Sequence, residues 1–337
     1  MKRPLALMAP EPEDDDADDI LAAEELAAQA RRAIDQTHHN YSTQPRFAWD
    51  SVHEIVGNIL PWQWWVIAAQ QGNGKSTIVQ NLLDDFVAQG KQVYVLALEE
   101  SPEGMILVQA ALECDLKVSH VRANRWERLP QGARAQVEQS IRERVTRQNE
   151  HGSAVGGVRY REDRDISAAK LPAVWKDAHR WGADLVLIDH IHRLAEADHR
   201  EISRVAKMLS EMARDFHIPA LVTAQLNRGA ERDPVRPMLP PVPSDIQGSA
   251  HIEQEAHVIF GAYRPLGVFT PDDLMQARKG LKNPYELAKP NTVGLKLMKD
   301  RIDGEYTGKI WELDYTHGRI TCPMTQDRKN YERRNDL

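Results

Sequence analysis

One short run in this chain could hold a phosphate. Ala69-Gln70-Gln71-Gly72-Asn73-Gly74-Lys75-Ser76-Thr77 carries two glycines just ahead of a lysine and two hydroxyls. Gly72 and Gly74 allow the backbone to curl so that several N–H groups face one anion. A helix beginning at Lys75 would add the positive end of its dipole. In such a loop the lysine reaches the β- and γ-phosphates and the serine hydroxyl ligates Mg²⁺. The run from Ala69 to Thr77 is therefore expected to bind ATP, with Mg²⁺ as the second cofactor. Its leading position is Ala69, where the usual pattern has glycine.

Hydrolysis needs two further groups, a carboxylate to orient the metal and a base to activate water. The stretch Asp184-Leu185-Val186-Leu187-Ile188-Asp189 is an apolar run ending in an acid. Ligands bind at the carboxyl ends of strands in open α/β sheets. Asp189 is thus expected to act on Mg²⁺ with Ser76, and Asp184, at the other end, to be structural. A second apolar run ends in Leu98-Glu99-Glu100-Ser101. Glu99 is expected to be the general base. Glu100 is expected to be a helix cap or to support Glu99, because Ser101-Pro102-Glu103 reads as a helix start.

These groups converge only if strands and helices alternate. Apolar, β-rich runs occur at 64–69, 93–98, 184–188, 218–223 and 257–263, and helical faces recur over 75–88 and 201–216. Continuous apolar strands between helices predict a mostly parallel, twisted sheet covered on both faces. Residues 293–299 and 308–314 flank Asp303–Gly304 and predict a C-terminal antiparallel hairpin. Trp62, Trp64 and Trp65 are expected to pack the entry to the first strand. His190 and His192 are expected to be polar neighbours of the nucleotide, since no zinc pattern surrounds them.

The chain has 337 residues and a net charge of −7. Residues 1–30 hold nine acids and two bases, so the rest is balanced at 41 of each. A strongly basic domain is excluded, and nucleic-acid contact would have to come from a local patch. Two cysteines, Cys114 and Cys322, exclude a disulfide scaffold and point to a reduced, cytoplasmic setting. No apolar run is long enough for a membrane span. The expected organisation is an acidic disordered tail over 1–17, a helix and linker over 18–46, the ATPase domain over 47–325 and a charged tail over 326–337. The segment 228–250 is rich in proline and carries Arg228, Arg232 and Arg236; a loop of that length in a compact domain is usually functional or disordered.

The order Ala-x-x-x-x-Gly-Lys-Ser, Leu98-Glu99-Glu100-Ser101, Ile188-Asp189-His190-Ile191 and Gln225-Leu226-Asn227-Arg228 resembles the RecA-like motor domain of DnaB-type hexameric replicative helicases. The Glu-Glu-Ser and Asp-His-Ile variants are most similar to phage primase-helicases and Twinkle. Ser244 to Ser249, then Ile252-Glu253-Gln254, and Lys299-Asp300-Arg301 with Gly304 agree with it. The resemblance implies a RecA-like P-loop NTPase core, a homo-oligomeric ring, movement on single-stranded DNA during phage or plasmid replication, and perhaps-separate proteins such as a primase or polymerase as partners. It implies that Gln225 senses the γ-phosphate, and that Arg301 with Lys299 acts in trans on a neighbour's ATP. It places DNA contacts at Arg228, Arg232, Arg236, Gln247 and Gly248. It also implies that residues 18–36 dock on the adjacent subunit; about 46 residues precede the motor, too few for the helical domain such helicases carry there. Two other readings stay open at this point, a RecA- or RadA-like recombinase and a non-translocating P-loop adaptor or loader.

Overall fold

The computed structural model describes residues 43–150, 157–163, 166–195, 199–227 and 233–322, with Ala27 and Arg31 besides. The chain divides into two units, Met1–Thr43 and Gln44–Leu337. Ala27 and Arg31 are helical; the rest of the expected helix over 18–36 lies outside the described residues, as do the tails over 1–17 and 326–337.

The second unit is built on a nine-stranded sheet. In chain order its strands are β1 (Trp64–Ala69), β2 (Gln92–Ala97), β3 (Gly157–Glu162), β4 (Leu185–Asp189), β5 (Ala220–Gln225), β6 (Val258–Tyr263), β7 (Thr292–Asp300), β8 (Ile310–Thr316) and β9 (Arg319–Thr321). They lie in the order β3-β2-β4-β5-β1-β6-β7-β8-β9. The strands from β3 to β6 are parallel, and β7, β8 and β9 add on antiparallel. The mostly parallel sheet and its C-terminal hairpin are as the sequence predicts.

Every residue of β1, β2, β4 and β6 is buried, which is why these strands read as unbroken apolar runs. Alternation still operates within them, because successive side chains leave a strand on opposite faces. Trp64, Val66 and Ala68 join one core with Trp175 of α6 (Leu171–Trp181) and Leu209 of α7 (His199–Phe216). Trp65, Ile67 and Ala69 join the other with Leu82 and Phe86 of α2 (Lys75–Ala88) and with Phe47 and Trp49. Trp64 and Trp65 pack as expected. Trp62 does not: it is 40% exposed, because it lies in the turn before the strand.

Two strands escaped the sequence reading. β3 is GVRYRE, an edge strand with no fully buried position, so it shows no apolar run. β9 has only three residues. β5 begins and ends two residues later than expected, which puts Gln225 on the strand itself.

Behind α2 lies a polar network. Arg144 of α5 (Ala133–Glu150) and Arg319 of β9 both pair with Asp84, at 2.8 and 2.7 Å. The adjacent Asp85 has no such partner; burial, then the Asp84 charge, push its carboxyl up to about 7. A carboxyl raised in the folded state favours folding when protonated. That contribution is complete below the unfolded value and is lost as pH rises through about 7. Asp85→Asn, which cannot ionise, should therefore melt roughly 5 °C higher than the parent at pH 8 and show little difference near pH 4. Thermal melts across that range check it; a constant offset at all pH values would contradict it.

Candidate nucleotide site and the loop beside it

β1 delivers the phosphate loop. Ala69 is its last residue, buried and paired with Gln225 on one side and Ala262 on the other. Its backbone is ordinary strand, so the position has no need of glycine. Gly72 and Gly74 do differ, at φ of 84° and 90°. A Cβ added at Gly72 would meet nothing within 4 Å, so the constraint there is the left-handed backbone rather than space. Gly74 is the N-cap residue of α2, and Lys75 opens the helix.

Lys75 Nζ donates to Glu99 Oε2 at 2.9 Å and lies 3.3 Å from Asp189 Oδ1. The lysine, the expected base and the expected metal carboxylate thus meet at one point. Burial acts to raise the Glu99 carboxyl, but its bond to Lys75 and the Lys75 charge outweigh that and hold it below the usual range. Asp189 is buried, and the Thr223 hydroxyl donates to its Oδ1. The β4–β5 ladder ends at Ile188–Val222; beyond it the strands part, and Asp189 and Thr223 span the opening. Asp184 accepts from the Gln92 N–H at 2.7 Å and is structural, as expected. Glu100 is not the cap. Ser101 takes that role, its hydroxyl accepting from the Gly104 N–H, while Glu100 pairs with Arg122 at 2.6 Å.

A cavity of about 880 Å³ opens over this point. The phosphate loop, Glu99, His190, His192, Gln225 and Gln247 line it, and so do Ser167, Arg193 and Arg264. The last three escaped the sequence reading. Arg264 directly follows β6, and a search for cations one residue beyond each strand would have found it. His190 Nε2 stands 3.6 Å from Glu99 Oε2; burial, then the Lys75 charge, push its imidazole down to about 4, so it is neutral at physiological pH. The Ser76 hydroxyl and the Asp189 carboxylate are hard oxygen donors, the kind Mg²⁺ takes alongside phosphate oxygens and water. Among the described residues no group of three or more side chains could hold a metal ion by itself, which suits an ion that arrives with its nucleotide.

The proline-rich segment is less free than its composition suggests. Asn73 Nδ2 donates to the Pro237 carbonyl at 2.7 Å, and Lys296 Nζ to the Pro241 carbonyl at 2.9 Å. Val235 is buried in a small cluster with Ala277 of α9 (Pro271–Arg278) and Leu287. Arg236 is paired with Asp245 and also donates to the Pro240 carbonyl. Its guanidinium is thus engaged inside the loop rather than presented to a phosphate, a correction to the expectation for Arg236. Arg228 and Arg232 lie outside the described residues. Gln247 lines the nucleotide cavity. Gly248 abuts Ile202, where a Cβ would come within 2.8 Å of its Cδ1; the close approach of α7 accounts for this glycine.

Lys299 is also occupied at home. Its ammonium donates to the Glu253 and Ala256 carbonyls at the end of α8 (Ser249–Glu255), where a helix C-terminus attracts cations. Arg301 is exposed, and among the described residues its side chain has no hydrogen-bond or ion-pair partner. Asp300 pairs with Val258, and Val258 with Trp65 at the start of β1. Arg301 therefore sits at the amino end of the parallel strands, one strand length, about 17 Å, from the phosphate loop of its own chain.

Among the described residues no helix is long and apolar enough to cross a membrane. A family profile described as the DnaB-like helicase C terminal domain matches residues 49–301. The replicative DNA helicase DnaB of Pasteurella multocida (strain Pm70) is 24% identical over 232 residues, covering 67% of this chain and 47% of that protein. A probable plasmid replicative DNA helicase of Chlamydia psittaci is 25% identical over 257 residues, covering 68% and 51%. The chain thus spans about half the length of the curated relatives it matches. A solved DnaB-like replicative helicase, described with its interactions with primase, superposes with a TM-score of 0.66 at 18% identity, covering 90% of this chain and 67% of that one. An isolated ATPase domain gives 0.67 at 17%, covering 90% and 100%. These likenesses establish the RecA-like core.

Proposed function

Because this chain belongs to the DnaB-like helicase C-terminal domain family, we propose that it is the ATP- and Mg²⁺-dependent motor of a ring that moves on single-stranded DNA and unwinds duplex during replication in the cytoplasm. The convergence of Lys75, Glu99 and Asp189 at the mouth of β1, β2 and β4 carries this reading. ATP enters with its phosphates over Gly72 to Thr77. Its γ-phosphate draws Lys75 away from the two carboxylates. Asp189 and Ser76 then hold Mg²⁺, and Glu99, released from the lysine, takes a proton from the attacking water. Gln225, at the end of β5, contacts the γ-phosphate.

The position of Arg301 supports a ring. It cannot reach its own nucleotide, yet it is exposed and unpaired, as a residue serving the neighbouring subunit has to be. Lys299 fixes the strand that carries it rather than acting in trans itself. Arg228 and Arg232 supply phosphate contacts, with Gln247 and Gly248 at the root of the loop and Arg236 holding its shape. A hexamer and a separate primase partner follow the pattern of the relatives.

The test is displacement of one strand from a forked duplex. The protein should open the fork only with a hydrolysable nucleotide and Mg²⁺. Protein that hydrolyses ATP on single-stranded DNA but opens no fork would overturn the motor reading.

A further inference from the structure

β4 and β5 separate after Ile188–Val222, and that separation creates a polar gap. Successive amides of a strand point to opposite sides. The Leu226 N–H donates to Ala69 on the β1 side, so the Gln225 N–H faces the side where the ladder has ended. His192 meets it there. Its Nδ1 lies 3.4 Å from the Gln225 nitrogen, and its Nε2 lies 2.9 Å from the Gln247 carbonyl oxygen. A backbone N–H can only donate and a carbonyl can only accept, so Nδ1 accepts and the ring proton is on Nε2. The ring is 8% exposed, and burial pushes its pKa down, so the neutral tautomer persists.

The two backbone groups that His192 joins are the legs of the loop. Gln247 N–H donates to the Gln225 carbonyl at 3.2 Å, Leu226 bridges Ile246, and the Asn227 N–H donates to the Asp245 carbonyl. Residues 225–227 and 245–247 therefore form a short antiparallel stem, and the segment carrying Arg228, Arg232 and Arg236 is the loop above it. His192 belongs to neither leg. It stands three residues after Asp189, on the turn Ile191–Arg193, so it links the metal-carboxylate strand to both.

We propose that His192 is a positioning residue that ties the γ-phosphate position, read at Gln225, to the far leg of the loop at Gln247, so that nucleotide state sets the loop's affinity for single-stranded DNA. This rests on the reading above that the loop contacts single-stranded DNA. A ligand at one site shifts another only by favouring one of two arrangements, and the coupling is reciprocal. A neutral imidazole bonded on both sides moves both legs together. Without it, the direct stem bonds remain but lose their link to the strand carrying Asp189.

The experiment measures binding of a fluorescent oligothymidylate by the full chain, by anisotropy, with ADP and with a non-hydrolysable ATP analogue. In the parent protein the two affinities should differ on the order of tenfold. His192→Leu keeps the bulk and removes both bonds, and should bring the ratio to about one. His192→Gln offers an acceptor and a donor on one planar group and should restore most of it. His192→Asn, too short to span both bonds, should lose the ratio as leucine does and replaces it if that variant does not fold. Melting temperatures accompany each. A purely structural role would lower stability and leave the ratio as in the parent, which would overturn the proposal. A parent that binds DNA equally in both states would overturn it while leaving the loop reading intact; a parent with no affinity for the oligonucleotide would overturn both.

Discussion

Lys75→Ala should lower ATP turnover roughly a thousandfold, comparable to removing a preorganised donor from a site of developing negative charge. Lys75 stands between Glu99 and Asp189, at 2.9 and 3.3 Å, and is the cation on the loop that faces the phosphates. Two effects combine in the variant. The γ-phosphate loses a charge-assisted donor that strengthens as the bond to the leaving group breaks. The two carboxylates also lose the charge that separates them, which raises the cost of bringing a nucleotide tetraanion into the site. The first effect lowers kcat and the second raises KM, so both should move. Steady-state hydrolysis over a wide ATP range, with circular dichroism to show that the variant folds, separates them. A variant that kept turnover within tenfold of the parent would remove Lys75 from the chemistry.

Arg301→Ala should also lose a thousandfold or more, since a finger in trans contributes about three to five powers of ten. The reason differs. The residue is one strand length from its own phosphate loop, about 17 Å by the rise of β1, so the loss cannot come from the chain that carries the mutation. Nor does it come from weakened folding: Arg301 is exposed and makes no side-chain bond among the described residues. Binding of ATP by the isolated subunit should be near that of the parent, because the loop, Lys75 and Asp189 are untouched. Lys299→Ala should behave otherwise, lowering stability through the lost cap on α8.

Much of this was legible in the sequence because it depended on local rules. The Gly-x-Gly-Lys-Ser order fixes a backbone path, and the apolar runs before Asp189 and Glu99 fix where those acids emerge. What stayed hidden depended on partners distant in sequence. No pattern near Lys299 announces that its ammonium reaches the end of a helix some 45 residues earlier. Arg236 looks like a phosphate ligand until Asp245 is found beside it. The prolines of 233–245 suggested a free loop, yet Asn73, Val235 and Lys296 tie it to three different elements. Edge strand β3 was invisible because its exposed side needs no apolar residues.

The central claim is that each site is completed by the next subunit, and subunit mixing tests it most directly. Lys75→Ala chains keep Arg301 but have a disabled phosphate loop, and Arg301→Ala chains keep the loop but lack the finger. Neither should hydrolyse ATP appreciably alone. Mixed and allowed to exchange, they should form junctions where an intact loop meets an intact finger, and ATP hydrolysis stimulated by single-stranded DNA should return well above the sum of the two. Mixtures that stay at that sum, while co-purification through a tag on one variant shows that the chains have assembled together, would contradict the account.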